Sequence, residues 1–351
     1  MRKLCALIIV LLVCNMVLPI SAVASSEPHV SASCAVLFEP TTGAILYEKS
    51  KDKQVPMAST TKIMTGYLAL CHGNLGDMVE IPNEACGIEG SSIYMEAGEI
   101  LSLNDLLYAL LLQSANDAAT AIAIHVGGTL EHFVEMMNET ASRLGLQNTH
   151  FENPHGLDAP NHHTTAMDLA KLASVAMEHE MFSQIVSTVK YTIPKGNEGD
   201  VRVLVNHNKL LRMYDGASGV KTGFTKKSGR CLVGAAEKNG LTFISVTLDA
   251  PNDWNDHIQL FEYGFSKMEN RLICPAESFV FPLPIWGEEA LGYCTNMEDV
   301  YAILPKDAPT PEYTLSLPHY LTAPLKKGRV VGHLHFTHQG NSLADVSLVI
   351  K

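Results

Sequence analysis

A serine and a lysine three positions apart, in Ser59-Thr60-Thr61-Lys62, put a hydroxyl and an ammonium group on one face if the segment is helical. A serine hydroxyl is a weak nucleophile until a base within hydrogen-bond reach takes its proton. A lysine is that base only if its pKa falls, and burial and nearby positive charge both lower it. Two further motifs follow along the chain. Ser114-Ala115-Asn116 sets a second hydroxyl and a side-chain amide at a break between two apolar stretches. There Ser114 can relay a proton and Asn116 can hold a substrate amide. Lys221-Thr222-Gly223 brings another cation, a hydroxyl able to bind a carboxylate, and a glycine that lets a second backbone approach closely. Singly, each motif also has an ordinary structural reading: a chance tetrapeptide, a helix–helix turn with a local cap, and an edge-strand lysine before a turn. In this order and together they point to acyl transfer through Ser59.

These residues need elements to hold them. A helix is expected to begin at Ser59 as its N-cap, because Ile63, Met64, Tyr67, Leu68 and Leu70 fall at helical spacing. Leu103 to Leu112 is a second helix, capped by Ser102 or Asn104. An alanine-rich buried helix runs from Ala115 to Val126, and amphipathic helices from Leu130 to Leu144 and Thr165 to Met177. Strands are expected in a hairpin, Ala35 to Phe38 and Ala44 to Tyr47, and again at Val220 to Phe224, Cys231 to Ala236 and Thr242 to Leu248, with a helix from Trp254 to Phe265. Strands at both ends with helices between imply an α/β fold, a mixed sheet of sequence-distant strands covered by helices. From about Ile273 prolines recur and short alternating stretches follow one another, which reads as a small C-terminal all-β domain. The expected division is a leader over 1–24, an acyl-transfer domain over 25–270 and a β-rich domain over 271–351.

The leader is separate in kind. Arg2 and Lys3 precede an apolar run from Leu4 to Leu18, and Ala22-Val23-Ala24 is a small-x-small cleavage site. That is the anatomy of a secretory signal peptide. An uncleaved anchor and a lipoprotein signal at Cys14 are the alternatives; the run is short for a membrane span, and Val13 is bulky where a lipoprotein site wants a small residue. Removing the leader takes the formal net charge from −12 to −14, through Arg2 and Lys3. An acidic exported chain of this kind does not track along nucleic acid. Six cysteines remain after residue 24: Cys34, Cys71, Cys86, Cys231, Cys274 and Cys294. Export permits disulfides, but these six are widely spread, partly in apolar contexts, and free buried thiols are an equal reading. None forms a CxxC zinc pair.

S-x-x-K, a serine-bearing second motif and K-T-G form the signature shared by penicillin-binding proteins and class A β-lactamases. With its flanking segments the chain resembles the low-molecular-weight penicillin-binding proteins, the D-Ala-D-Ala carboxypeptidases of serine peptidase family S11. Those segments include Pro56-Met57-Ala58, Asn116-Asp117-Ala118-Ala119, Asn153-Pro154-His155-Gly156-Leu157-Asp158 and Gly219-Val220-Lys221-Thr222-Gly223-Phe224-Thr225. Ala323-Pro324-Leu325-Lys326-Lys327-Gly328 is similar to the family's C-terminal β module. The resemblance implies a β-lactamase/transpeptidase-like fold. It also implies attack by Ser59 on the carbonyl between the two terminal D-alanines of a wall stem peptide. Lys62 takes the serine proton, and Ser114 and Lys221 pass one to the leaving D-alanine. Backbone N–H groups of Ser59 and Phe224 hold the oxyanion, Asn116 binds the peptide, and Thr222 binds the terminal carboxylate. β-Lactams are then covalent inhibitors, and no cofactor or metal is implied.

Two departures stand out. Some members carry an arginine near the substrate carboxylate after the K-T-G strands, but Asp249 to His257 holds no Arg or Lys, which leaves that carboxylate to Thr222, Thr225 and Lys221. Many members end in an amphipathic membrane helix; this chain ends in Ser347-Leu348-Val349-Ile350-Lys351, which reads as a strand. Location on the wall side of the cytoplasmic membrane is expected, with loose membrane or wall association open. A class A β-lactamase needs a deacylating glutamate in an E-x-x-L-N pattern between the second and third motifs, and only the partial match Glu135-Met136-Met137-Asn138 is present. A penicillin-binding endopeptidase or transpeptidase shares all three motifs. A zinc hydrolase is disfavoured because His155, His162 and His163 stand without an H-E-x-x-H. A non-catalytic wall protein would not need Ser59, Lys62, Ser114 and Lys221 together.

Overall fold

The computed structural model describes residues 27–196 and 199–351; the expected signal peptide lies outside the described residues. The chain opens with the hairpin β1 (Cys34–Glu39) and β2 (Ala44–Lys49). A helical half follows, made of α1 (Lys62–His72), α2 (Leu103–Leu112), α3 (Asn116–Gly127), α4 (Leu130–Arg143), α5 (Ala166–Glu178) and α6 (Glu180–Ser187). Two short antiparallel pairs lie along it: β3 (Met78–Glu80) with β4 (Ile100–Ser102), and β5 (Lys190–Lys195) with β6 (Asp200–Val205). One turn of helix, α7 (Leu210–Met213), leads to β7 (Ala217–Thr225), β8 (Gly229–Lys238) and β9 (Leu241–Leu248), and α8 (Asp253–Lys267) packs back on the sheet.

The central sheet has the order β2-β1-β9-β8-β7, so the first strand pairs with the last of the meander. The helix-covered sheet is the expected architecture. Every pairing in it is antiparallel rather than mixed, because β1 turns straight into β2 and β7, β8 and β9 are joined by tight turns. Alternation along the strands splits the core. Cys34, Val36 and Phe38 face the α1–α6 side with Val233, Ile244 and Val246. Ala35 and Leu37 face α8 with Leu232, Phe243, Leu260 and Phe261. This arrangement leaves β7 as an edge strand, with α6 against its flank and the Ser59 turn beside it.

The helix expected to start at Ser59 starts differently. Residues Ala58–Thr61 form a 3-10 turn, and α1 proper begins at Lys62 with no side-chain cap. The Ser59 hydroxyl accepts from Lys62 Nζ and is not spent on a backbone N–H. The helix at Leu103 is capped by Ser102, whose Oγ accepts from the Asp105 amide. Sequence patterning leaves α6 and the β5–β6 hairpin unassigned. Both are short and bury only a few residues, Phe182, Ile185 and Val186 in one and Ile193 and Leu204 in the other.

The C-terminal strands are β10 (Met268–Cys274), β11 (Val280–Pro284), β12 (Leu291–Thr295), β13 (Val300–Pro305), β14 (Glu312–Ser316), β15 (Val330–His338) and β16 (Asn341–Ile350). Five of them form a sheet in the order β11-β12-β16-β15-β14 over a separate core that includes Leu283, Leu334, Phe336 and Leu348. Residue 270 falls inside β10, which pairs with β13. All six cysteines beyond residue 24 are free thiols, and four of them are buried. Among the described residues no helix is long and apolar enough to cross a membrane.

One long-range latch joins the start of the domain to α8. The buried Asp256 carboxylate accepts from the Ser31 amide (2.9 Å), the Ser31 hydroxyl (2.7 Å) and the Ala32 amide (3.2 Å). Asp256→Ala strands these donors, so a loss of about 2 kcal/mol of stability is expected. Thermal or denaturant unfolding checks this, and an unchanged midpoint would show the latch to be idle.

Candidate active site

Ser59 and Lys62 stand one helical turn apart, and Lys62 Nζ donates to Ser59 Oγ at 3.0 Å. The lysine is wholly buried. Nζ also donates to Asn116 Oδ1 and the His155 carbonyl, both at 2.6 Å, and these two bonds take both hydrogens of the neutral amine. Burial, and after it the positive charge of Lys221, holds the Lys62 pKa well below its ordinary value, against a smaller opposing pull from Asp117. An ammonium in this place is disfavoured, and the neutral amine beside Ser59 is a competent base.

The second and third motifs meet in the same way. Ser114 sits between α2 and α3 with φ at +60°, a left-handed turn that aims its hydroxyl into the cleft. Lys221 on β7 donates to Ser114 Oγ at 3.0 Å and to the Thr222 carbonyl at 2.8 Å. Lys221 is also buried, and burial lowers its pKa to about 7. Two serine–lysine pairs thus face one cleft of about 530 Å³, lined also by Thr222, Gly223 and Phe224.

The structure gives Asn116 a prior engagement. Its Oδ1 accepts from Lys62, and its Nδ2 donates to the Glu89 carbonyl at 2.5 Å, so one amide proton is left over. Thr225 turns toward Asp158 Oδ1 (3.1 Å) and Ser228 Oγ (3.0 Å). Asp117, next to Asn116, holds the segment 92–95 instead. Its buried carboxylate accepts from the Ser92 hydroxyl and the amides of Ile93 and Met95.

The support that motif reading misses is the loop 153–158. Its His155 carbonyl receives a Lys62 proton, its Pro154 carbonyl receives the Thr65 hydroxyl at 2.6 Å, and its Asp158 receives Thr225. A directed relay also ends at the residue before the serine. The Glu152 amide donates to His162 Nδ1 at 3.0 Å, which leaves Nε2 to carry the proton toward Thr61 Oγ1 at 2.7 Å. Thr61 then donates to the Ala58 carbonyl at 2.8 Å. Burial lowers His162 to about 4 and His155 to about 3, so both rings stay neutral at physiological pH. Ala58 needs this hold, because its φ of +46° is left-handed and costly for an alanine. The family-like segment at 153–158 is visible in the sequence, but its contact with Lys62 across 93 positions is not. Among the described residues no three His, Cys, Asp or Glu side chains gather as a metal site.

Two glycines set the clearances. A Cβ on Gly156, itself at φ +91°, would lie 1.9 Å from the Ala58 carbonyl oxygen, and one on Gly223 would lie 3.0 Å from the Ser59 amide. Gly156→Ala displaces the backbone that carries Ser59. An acylation rate for a fluorescent β-lactam lower by about a hundredfold is expected; wild-type acylation would contradict this account of the loop.

A family sequence model described as D-alanyl-D-alanine carboxypeptidase, peptidase S11, matches residues 21–252, and one described as penicillin-binding protein 5, C-terminal domain, matches residues 296–351. The D-alanyl-D-alanine carboxypeptidase DacF of Bacillus subtilis (strain 168) is 31% identical, over 93% of this chain and 87% of its own. DacC of Escherichia coli (strain K12), of the same description, is 34% identical over 92% of this chain and 84% of its own. The crystal structure of the D-alanyl-D-alanine carboxypeptidase DacD from Francisella tularensis superposes with a TM-score of 0.68 at 28% identity, covering 93% of this chain and 94% of that one. The match spans both the helix-covered sheet with its two serine–lysine pairs and the β module behind it, and the chain belongs to the D-alanyl-D-alanine carboxypeptidase family, peptidase S11.

Proposed function

We propose that this chain removes the terminal D-alanine from peptidoglycan stem pentapeptides through an acyl-enzyme on Ser59. The observation that carries the reading is the buried contact between Lys62 Nζ and Ser59 Oγ, with burial holding the lysine pKa well below its ordinary value. As Ser59 Oγ bonds to the carbonyl carbon between the two D-alanines, Lys62 takes its proton. The oxyanion is received by the backbone N–H groups of Ser59 and Phe224. A Cβ on Gly223 would lie 3.0 Å from the Ser59 amide, so a glycine keeps this corner clear. Ser114 gives its proton to the departing nitrogen and is reprotonated by the Lys221 ammonium. D-Alanine leaves, and the proton on Lys62 returns to Lys221. Water then attacks the ester with Lys62 again as base, restoring the Ser59 hydroxyl and releasing the shortened peptide.

Asn116 steadies Lys62 and offers its remaining amide proton to the peptide, while Thr222 receives the terminal carboxylate. The transfer chemistry is placed in residues 25–270, with 271–351 as a spacer or docking module. A β-lactam acylates the same serine, but its ring nitrogen stays tethered and cannot leave. The signal-like leader supports action on the outer side of the cytoplasmic membrane, on the wall.

Labelling with a fluorescent penicillin tests the nucleophile. Wild-type protein is expected to label with one equivalent and Ser59→Ala with none; an undiminished label on Ser59→Ala sinks the proposal. Mass spectrometry on a wall pentapeptide is expected to show loss of one alanine, whereas a cut at a cross-bridge would mark an endopeptidase.

The pH dependence follows from Lys62. Its depressed pKa leaves it neutral, and active as a base, above that value and protonated, and inactive, below it. The acid limb of the acylation rate is therefore expected well below the ordinary lysine value of 10.5. A limb at that ordinary value would remove Lys62 from the role.

A further inference from the structure

We propose that Arg230, from the strand next to the K-T-G strand, is the cation that binds the substrate's terminal carboxylate in this chain. The inference rests on the carboxypeptidase reading above and names the group that gives it its substrate. The stretch Asp249 to His257 holds no arginine or lysine to meet a carboxylate. Arg230 lines the same cleft as Ser59, Ser114 and Thr222. It lies directly opposite Phe224 in the β7–β8 register, so Thr222 is its diagonal neighbour on the same face of the sheet, about 7–8 Å away and within reach of a long side chain. A carboxylate hydrogen-bonded to Thr222 is thus also within reach of the guanidinium.

The arginine is held in place but not used up. Its Nη2 sits 2.9 Å from Asp253 Oδ2, and its Cζ stands 5.6 Å from the centre of the Trp254 ring. Asp253 is buried, while Arg230 is 42% exposed. Two other arginines show what a purely structural role looks like. Arg202 spends its guanidinium on Glu99 and the carbonyls of Ile93, Tyr94 and Pro194. Arg271 spends its own on Glu269 and a run of carbonyls from Pro305 to Pro309. Apart from the Trp254 ring, the Arg230 guanidinium has, among the described residues, only the Asp253 ion pair. A guanidinium has five N–H donors in a planar fork, so one edge remains to take a carboxylate in two parallel bonds. Asp253 fixes the orientation of that edge, and the indole face keeps the plane from rotating. Asp253 offsets much of the arginine's charge, and Lys209 and Arg212, which line the same cleft, keep its field favourable to an anion.

The test compares two peptides that differ only at the C-terminus, one ending in the D-alanine carboxylate and the other in D-alanine amide. Wild-type protein is expected to favour the acid in kcat/KM by about ten- to a hundredfold, the worth of a charge-assisted pair. Arg230→Gln is expected to lose that factor on the acid and to bring the acid-to-amide ratio close to one. Arg230→Lys keeps a charge without the fork, and its ratio is expected to fall between the two. An acid-to-amide ratio in Arg230→Gln equal to that of wild type overturns the assignment, as does an equal loss on both peptides, the mark of a residue that only clamps α8. Fluorescent penicillin labelling in the same samples separates the two levels. Absence of label on the wild type defeats the carboxypeptidase reading itself, whereas intact label with an unchanged ratio defeats only the role of Arg230.

Discussion

Two lysine side chains are buried in one cleft, and water is not there to solvate their charge. Much of the architecture follows from that constraint. An isolated ammonium in such a place is costly, and the usual outcome is that the group gives up its proton. At Lys62 burial comes first and the like charge of Lys221 second, and both push its pKa well below the ordinary value. Its Nζ finds three partners at 2.6–3.0 Å: in the neutral amine its two hydrogens go to Asn116 Oδ1 and the His155 carbonyl, and its lone pair faces Ser59 Oγ. These three partners come from three separate parts of the chain. The fold is therefore committed to bringing the α2–α3 junction and the 153–158 loop against the first turn of α1.

The cost of that convergence is visible in the backbone. Ala58 and Ser114 both adopt left-handed φ without being glycine; the first precedes Ser59 and the second carries the other serine hydroxyl of the site. Such residues persist only where their surroundings over-determine them. Around Ala58 the surroundings are the Glu152–His162–Thr61 relay and Gly156, which leaves no room for a side chain. Neutral histidines suit this task, since a charged ring beside Lys62 would add repulsion. Helices on one face of the sheet and α8 on the other keep β7 rigid while leaving its edge open to a peptide. On that edge Lys221 meets Ser114, and Thr222 has Arg230 of β8 as its diagonal neighbour.

How much of this the sequence discloses depends on range. The Ser59–Lys62 spacing is local, and a helical turn places both groups together whatever else happens. The break at Ser114 and the strand at Lys221 are equally local. The hydrophobic alternation of β1, β8 and β9 also announces a two-faced sheet. Contacts between distant positions are not written in any window. The Lys62–His155 and Lys221–Ser114 hydrogen bonds span 93 and 107 positions, and only the three-motif pattern hints at the second. The 3-10 start before α1 escapes a propensity reading because Ser59 looks like a cap, yet its hydroxyl is reserved for Lys62. Arg230 is hidden for a different reason. It stands in the sequence as one basic residue after a lysine-rich turn, and only strand pairing sets it across from Phe224.

The central claim is that Lys62 is a neutral amine in the resting protein. The most direct measurement is an NMR titration of the lysine side chains, with the Lys62 signal assigned by its loss in Lys62→Arg. The account predicts a resonance that titrates well below the ordinary lysine value of 10.5 and already marks a neutral amine at the pH where Ser59 acylates fastest. A Lys62 signal that stays protonated through that pH and titrates with the surface lysines would contradict it.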